Sequence, residues 1–77
     1  MRSPIERAVN VKATLVFIHG ESGSWYVCVA YPDGYLRLIR EPNKNAAFLS
    51  ADRLSKELKI TYAGECDDPG STYPIKR

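Results

Sequence analysis

A chain of 77 residues has room for one domain and buries only about 60% of its unfolded surface, which leaves one modest core and little for a deep pocket. Hydrophobic residues at 44% and charged residues at 26% exclude a wholly disordered chain. Eleven Lys and Arg stand against nine Asp and Glu, and a net charge of +2 neither demands nor excludes a polyanionic partner.

Ser3-Pro4-Ile5-Glu6 has the letters of a helix start, with Ser as N-cap, Pro at the first helical position and Glu at the third. Only Arg7 and Ala8 follow before β-rich sequence, so residues 1–8 are expected to form an N-terminal arm with one helical turn at most. Residues 9–40 read as an antiparallel three-stranded meander. In its first strand Val9, Val11, Ala13, Leu15 and Phe17 alternate with Asn10, Lys12, Thr14, Val16 and Ile18. A five-residue connection, Gly20-Glu21-Ser22-Gly23-Ser24, would pair His19 with Trp25. A four-residue loop would move that strand by one position and exchange its two faces.

The second strand, residues 25–31, is apolar throughout. In Tyr31-Pro32-Asp33-Gly34-Tyr35, Pro presets φ and Gly accepts a left-handed bulge, which predicts a three-residue hairpin loop. That register sets Tyr31 opposite Tyr35, Val29 opposite Arg37 and Val27 opposite Ile39. One face then takes Trp25, Val27, Val29, Tyr31, Tyr35, Arg37 and Ile39. Tyr26, Cys28, Ala30, Leu36, Leu38 and Arg40 take the other. With His19 opposite Trp25, the first-strand alternation adds Val9, Val11, Ala13, Leu15 and Phe17 to the first of these faces.

Pro42 ends the ladder. Ala47, Ala51, Leu54 and Leu58 then form a narrow apolar stripe at helical spacing. Asn45 and Ser50 compete as its cap, and Ser50 is favoured because Leu49 and Leu54 would form a hydrophobic staple. Residues 60–63 offer a short fourth strand, and residues 64–77 are expected to be a flexible tail with a turn at Asp68-Pro69-Gly70. The fold class is α+β: a three- or four-stranded antiparallel meander with one helix, in the order β-β-β-α-(β), over residues 9–63.

A helix is about 10 Å across, and three strands about 4.8 Å apart make a sheet of similar width. One helix therefore covers one face. The other face would expose several large apolar groups, each worth roughly 1.5–3 kcal/mol when buried. A second copy of the chain is the favoured cover, which predicts a homodimer.

Val16-Phe17-Ile18-His19-Gly20 followed by Ser22-Gly23-Ser24-Trp25-Tyr26 resembles one local pattern of α/β-hydrolases, the strand ending in His-Gly before the oxyanion loop. That fold needs several times this length and a G-x-S-x-G elbow, which Gly20-Glu21-Ser22-Gly23 does not complete, so the stretch reads as a hairpin loop. Residues 54–61 resemble the first helix and turn of helix-turn-helix domains, but the residues that follow make a poor recognition helix. His19 and Cys28 are the residue types of a nucleophile–base pair. On the expected register they project from opposite faces. His19, Cys66, Asp67 and Asp68 lack metal-ligand spacing. No catalytic residue, no metal site and no cofactor is expected, and the chain is read as no enzyme.

Two cysteines without C-x-x-C spacing read as free thiols in a reducing compartment. There is no signal-peptide core and no apolar run of about 20 residues, so a cytoplasmic protein without a membrane partner is expected. The residues singled out for binding are Trp25, Tyr31, Tyr35 and Arg37, with Arg40 and Lys44 at the rim. Aromatics mixed with arginine suit a protein interface. The reading is a small non-enzymatic binding or regulatory module, homodimeric or presenting an aromatic sheet face to a protein partner. The alternative is a nucleic-acid-binding protein that stacks bases on those aromatics and holds phosphates with Arg37, Arg40, Lys44, Lys56 and Lys59.

Overall fold

The computed structural model describes residues 3–65. The elements in order are α1 (Pro4–Asn10), β1 (Leu15–Glu21), β2 (Ser24–Tyr31), β3 (Gly34–Glu41), α2 (Lys44–Leu58) and β4 (Thr61–Glu65). The strands make one sheet ordered β3-β2-β1-β4. Neighbours are antiparallel except β1 and β4, which run parallel. The α+β class holds. The single helix and the purely antiparallel sheet do not: there are two helices, and the sheet is mixed. The mixed order follows from the path of the chain, since α2 leaves β3 at one edge and returns it at the opposite edge beside β1. Beyond residue 65, Cys66, Asp67, Asp68 and the Asp68-Pro69-Gly70 turn lie outside the described residues.

α1 begins as the sequence indicates, with Ser3 Oγ accepting the Glu6 N–H at 3.1 Å and Pro4 in the first turn. It runs to Asn10 rather than stopping after one turn, because Ala8 has a core to enter and is 1% exposed. Packing of this kind sustains helices too short to persist alone. The strand expected from Val9 therefore begins at Leu15, and Val9 lies exposed on the helix. Lys12, at φ 59°, turns the chain between the two.

The β1–β2 hairpin closes through two residues, Ser22 and Gly23, with Glu21 opposite Ser24. Both have positive φ (53° and 80°), the geometry of a type I′ turn. His19 therefore faces Tyr26 instead of Trp25, and Phe17 faces Cys28. That is the exchanged set of faces: Val16 and Ile18 join Val27 and Val29, while Phe17 joins Cys28 and Ala30.

The β2–β3 hairpin also departs from expectation. Tyr31 pairs with Gly34, so the loop is the two residues Pro32 and Asp33, and neither Asp33 nor Gly34 takes a positive φ. Leu36 faces Val29 and Arg37 faces Cys28. A bulge at Leu38 then restores the expected pairing of Val27 with Ile39. Turns of negative φ splay hairpin strands, and a bulge adds the missing twist.

α2 starts at Lys44, capped by Asn43, whose Oδ1 accepts the Ala46 N–H at 2.8 Å. Neither Asn45 nor Ser50 is the cap, and Leu49 is exposed rather than stapled. The Ser50 hydroxyl instead donates to Glu41 Oε2 at 2.5 Å. The expected stripe is the buried one, with Ala47, Ala51 and Leu54 in the core and Leu58 packed against it. Lys59, at φ 59°, ends the helix with its N–H on the Ser55 carbonyl.

Both helices lie on one side of the sheet. Ala8 of α1 and Ala47, Ala51 and Leu54 of α2 share a core with Val16, Ile18, Val27 and Val29. Four strands span roughly 15–20 Å, more than one helix covers, so α1 fills the space over β3 beside α2. The outer side carries Phe17, Cys28 and Ala30, with Leu15, Tyr26 and Tyr35 packed against them. The bare apolar face expected there is not found: Phe17 and Cys28 are 0% exposed and Ala30 4%. Among the described residues, the exposed large hydrophobics are Val9, Phe48 and Leu49, all on helices.

Candidate interaction face on the outer sheet

Tyr26 stands at the middle of the outer side's polar end. It faces His19 on β1 and Arg40 on β3. The Arg37 guanidinium lies over its ring, 4.5 Å from the centroid, a cation–π contact. Arg37 reaches past the ring to the Glu21 carboxylate, which it pairs and hydrogen-bonds. Glu21 Oε1 is also 3.5 Å from His19 Nε2. Arg40 Nη2 donates to Ser24 Oγ at 3.1 Å. At the other end of the face, the ring of Tyr35 meets buried Phe17 edge-on, with centroids 6.1 Å apart. Behind β3, Arg7 of α1 donates from Nη2 to the Arg37 carbonyl at 3.3 Å.

Of the six residues singled out from the sequence, the fold gathers three here: Tyr35, Arg37 and Arg40. It does so in an unforeseen way. A three-residue separation would normally set Arg37 and Arg40 on opposite faces, but the bulge at Leu38 adds one position and brings both outward. Trp25 is on the helix side, its indole lying against Gly20 and packed on the core. Lys44 is on that side too, its Nζ 5.7 Å from the Trp25 ring centroid and 2.7 Å from Glu65 Oε1. Tyr31 sits at the hairpin end, its hydroxyl beside Gly34.

The sequence pattern places Tyr26 with Arg40 but not with Arg37, and the expected register gives Glu21 no part in the face. The signal was present: Ser22-Gly23 is a two-residue turn dipeptide, and taking it as one sets Glu21 opposite Ser24. His19 and Cys28, expected on opposite faces, share the outer one, because the strand is shifted by one residue against the expected register. The Cys28 side chain is fully buried. Among the described residues no cluster of His, Cys, Asp or Glu is placed to hold a metal ion, and no helix is long and apolar enough to cross a membrane.

Fold and face together define a small α+β domain whose sheet carries an aromatic–arginine patch on the side away from its helices. Comparison with protein-family models, with curated proteins and with solved structures returns no match for this chain.

Proposed function

We propose that the chain is a small non-enzymatic binding or regulatory module that presents its outer sheet face to a protein partner through Tyr26, Tyr35, Arg37 and Arg40. The observation that carries the reading is the stack of Arg37 on Tyr26, completed by Glu21. Tyr and Arg are the residue types enriched where proteins meet. Here they are pre-positioned by neighbours, which lowers the ordering cost of binding. The pairing pattern favours a protein over a polyanion. Three cations that a nucleic-acid reading needs are already engaged with carboxylates: Arg37 with Glu21, Lys44 with Glu65 and Lys56 with Asp52. Trp25, the strongest stacking group in that reading, faces the other way.

A photo-crosslinking residue in place of Tyr35, with one in place of exposed Lys56 as control, tests the proposal. Protein adducts specific to position 35, and lost with Arg37→Glu, support it. Binding of a single-stranded oligonucleotide that weakens steeply with salt overturns it in favour of the nucleic-acid alternative. Solution mass measured against concentration tells a second copy from a different protein.

A further inference from the structure

We propose that the segment this face receives is an acidic peptide, its carboxylates bound by Arg40 and Arg7 on either side of edge strand β3. The inference rests on the protein-binding reading of the same face and adds the chemistry of the partner. Three arginines line β3 or its flank, and each is held differently. Arg37 is matched by Glu21. Arg40 is fixed by the Ser24 hydroxyl and Arg7 by the Arg37 carbonyl, both uncharged acceptors. A guanidinium held by a neutral oxygen has used one of its five N–H groups and keeps its whole charge. Neither Arg7 nor Arg40 has a carboxylate partner among the described residues. The result is two oriented guanidiniums flanking edge strand β3, with Arg40 on the outer side beside Tyr26 and Tyr35 and Arg7 behind the strand.

Carboxylates suit such groups, because the fork of the guanidinium matches both their oxygens and the charge strengthens each bond. Arg7 reaches β3 at the level of Arg37, three positions before Arg40, a separation of roughly 10 Å along the strand. An extended peptide with acidic residues two to four positions apart spans that distance at about 3.3 Å per residue. An apolar or aromatic side chain between them would fall toward Tyr26 and Tyr35. Nucleic acid fits less well, because its affinity accrues from many neutralised phosphates and the β3 edge offers two cations without a carboxylate partner among the described residues.

The probe is the capped peptide Gly-Glu-Glu-Phe-Glu-Glu-Gly, with its all-glutamine analogue and a single-stranded oligonucleotide of equal charge. Binding is followed by NMR shifts of Tyr26 and Tyr35 and by fluorescence anisotropy. The acidic peptide is expected to shift both tyrosines, and its affinity to fall roughly three- to tenfold with Arg40→Gln, and likewise with Arg7→Gln. Both positions lie at the surface, and an unchanged amide spectrum verifies the fold of each variant. Equal binding of the glutamine analogue on the same tyrosines overturns the acidic preference and leaves the protein-binding face standing. Silence of both peptides at those tyrosines removes both, and tighter binding of the oligonucleotide replaces them with the nucleic-acid alternative.

Discussion

A β-carbon placed on Gly20 would stand 2.8, 2.9 and 3.0 Å from Cζ2, Cε2 and Cη2 of Trp25. The two residues face each other across β1 and β2, and the indole fills the space that a side chain would otherwise take. Lys44 Nζ lies over the ring, 5.7 Å from its centroid. Gly20→Ala is therefore expected to displace the indole and cost about 1–3 kcal/mol in urea unfolding, the range for overpacking. It should also shift the emission of the chain's single tryptophan. Tyr62 gives a prediction in pH. Burial pushes its phenol pKa up, with Glu65 and Asp52 adding to the rise and Lys44 opposing it. A group with a raised folded-state pKa holds its full contribution below its unfolded value, about 10 for tyrosine, and loses it as pH climbs through the folded one. Stability should thus decline above that point, and more steeply in the parent than in Tyr62→Phe, whose missing ionisation flattens the curve. Parallel slopes would contradict it.

At the scale of elements, caps and turns decide where helices and hairpins lie. Asn43→Ala removes the acceptor of the Ala46 N–H and should lower stability by about 1 kcal/mol, with helix signal lost first from the start of α2. Ser22 occupies the first position of a type I′ turn at φ 53°, a conformation that asparagine tolerates better than serine. Ser22→Asn is expected to stabilise the protein by about 0.5 kcal/mol, read as a raised urea midpoint at constant slope. The same features explain what could be read in advance. The stripe Ala47, Ala51, Leu54 and Leu58 was legible because helical spacing is a local property. The cap was not: Asn43, Asn45 and Ser50 all have capping side chains, and Glu41, nine residues before Ser50, takes the serine for another purpose. Strand order in the meander was legible from the turn residues, but register was not. Pro32-Asp33-Gly34 serves a loop of two residues as well as three, and one residue of slip moves Arg37 to the opposite face. Tyr35 beside Arg37, and Tyr26 beside Arg40, were each readable as pairs. Their union on one face depends on the bulge at Leu38, which no local pattern announces.

Across the whole molecule, α1 is the least foreseen element and the most informative about cooperativity. Its seven residues are too few for an independent helix. Yet Ala8 enters the same core as Val16, Val27 and Ala51, and α1 packs on both β3 and α2. If residues 4–10 formed a mere arm, a charge at position 8 would fray the helix and leave the sheet intact. As part of the core, the same change sets an unpaired carboxylate where side chains are 0–4% exposed, and the whole domain must answer for it. The cost of an uncompensated buried charge is about 3–5 kcal/mol, a large share of the roughly 5–15 kcal/mol that holds a domain together. Ala8→Asp should therefore lower the urea midpoint measured at Trp25, on β2, by the same amount as the midpoint measured by far-UV circular dichroism. Coincidence of the two transitions is the mark of one cooperative unit. A loss of helix signal with the tryptophan transition unmoved would make α1 an appendage. It would also loosen Arg7 from the β3 edge, and the acidic-peptide site would lose one of its two guanidiniums.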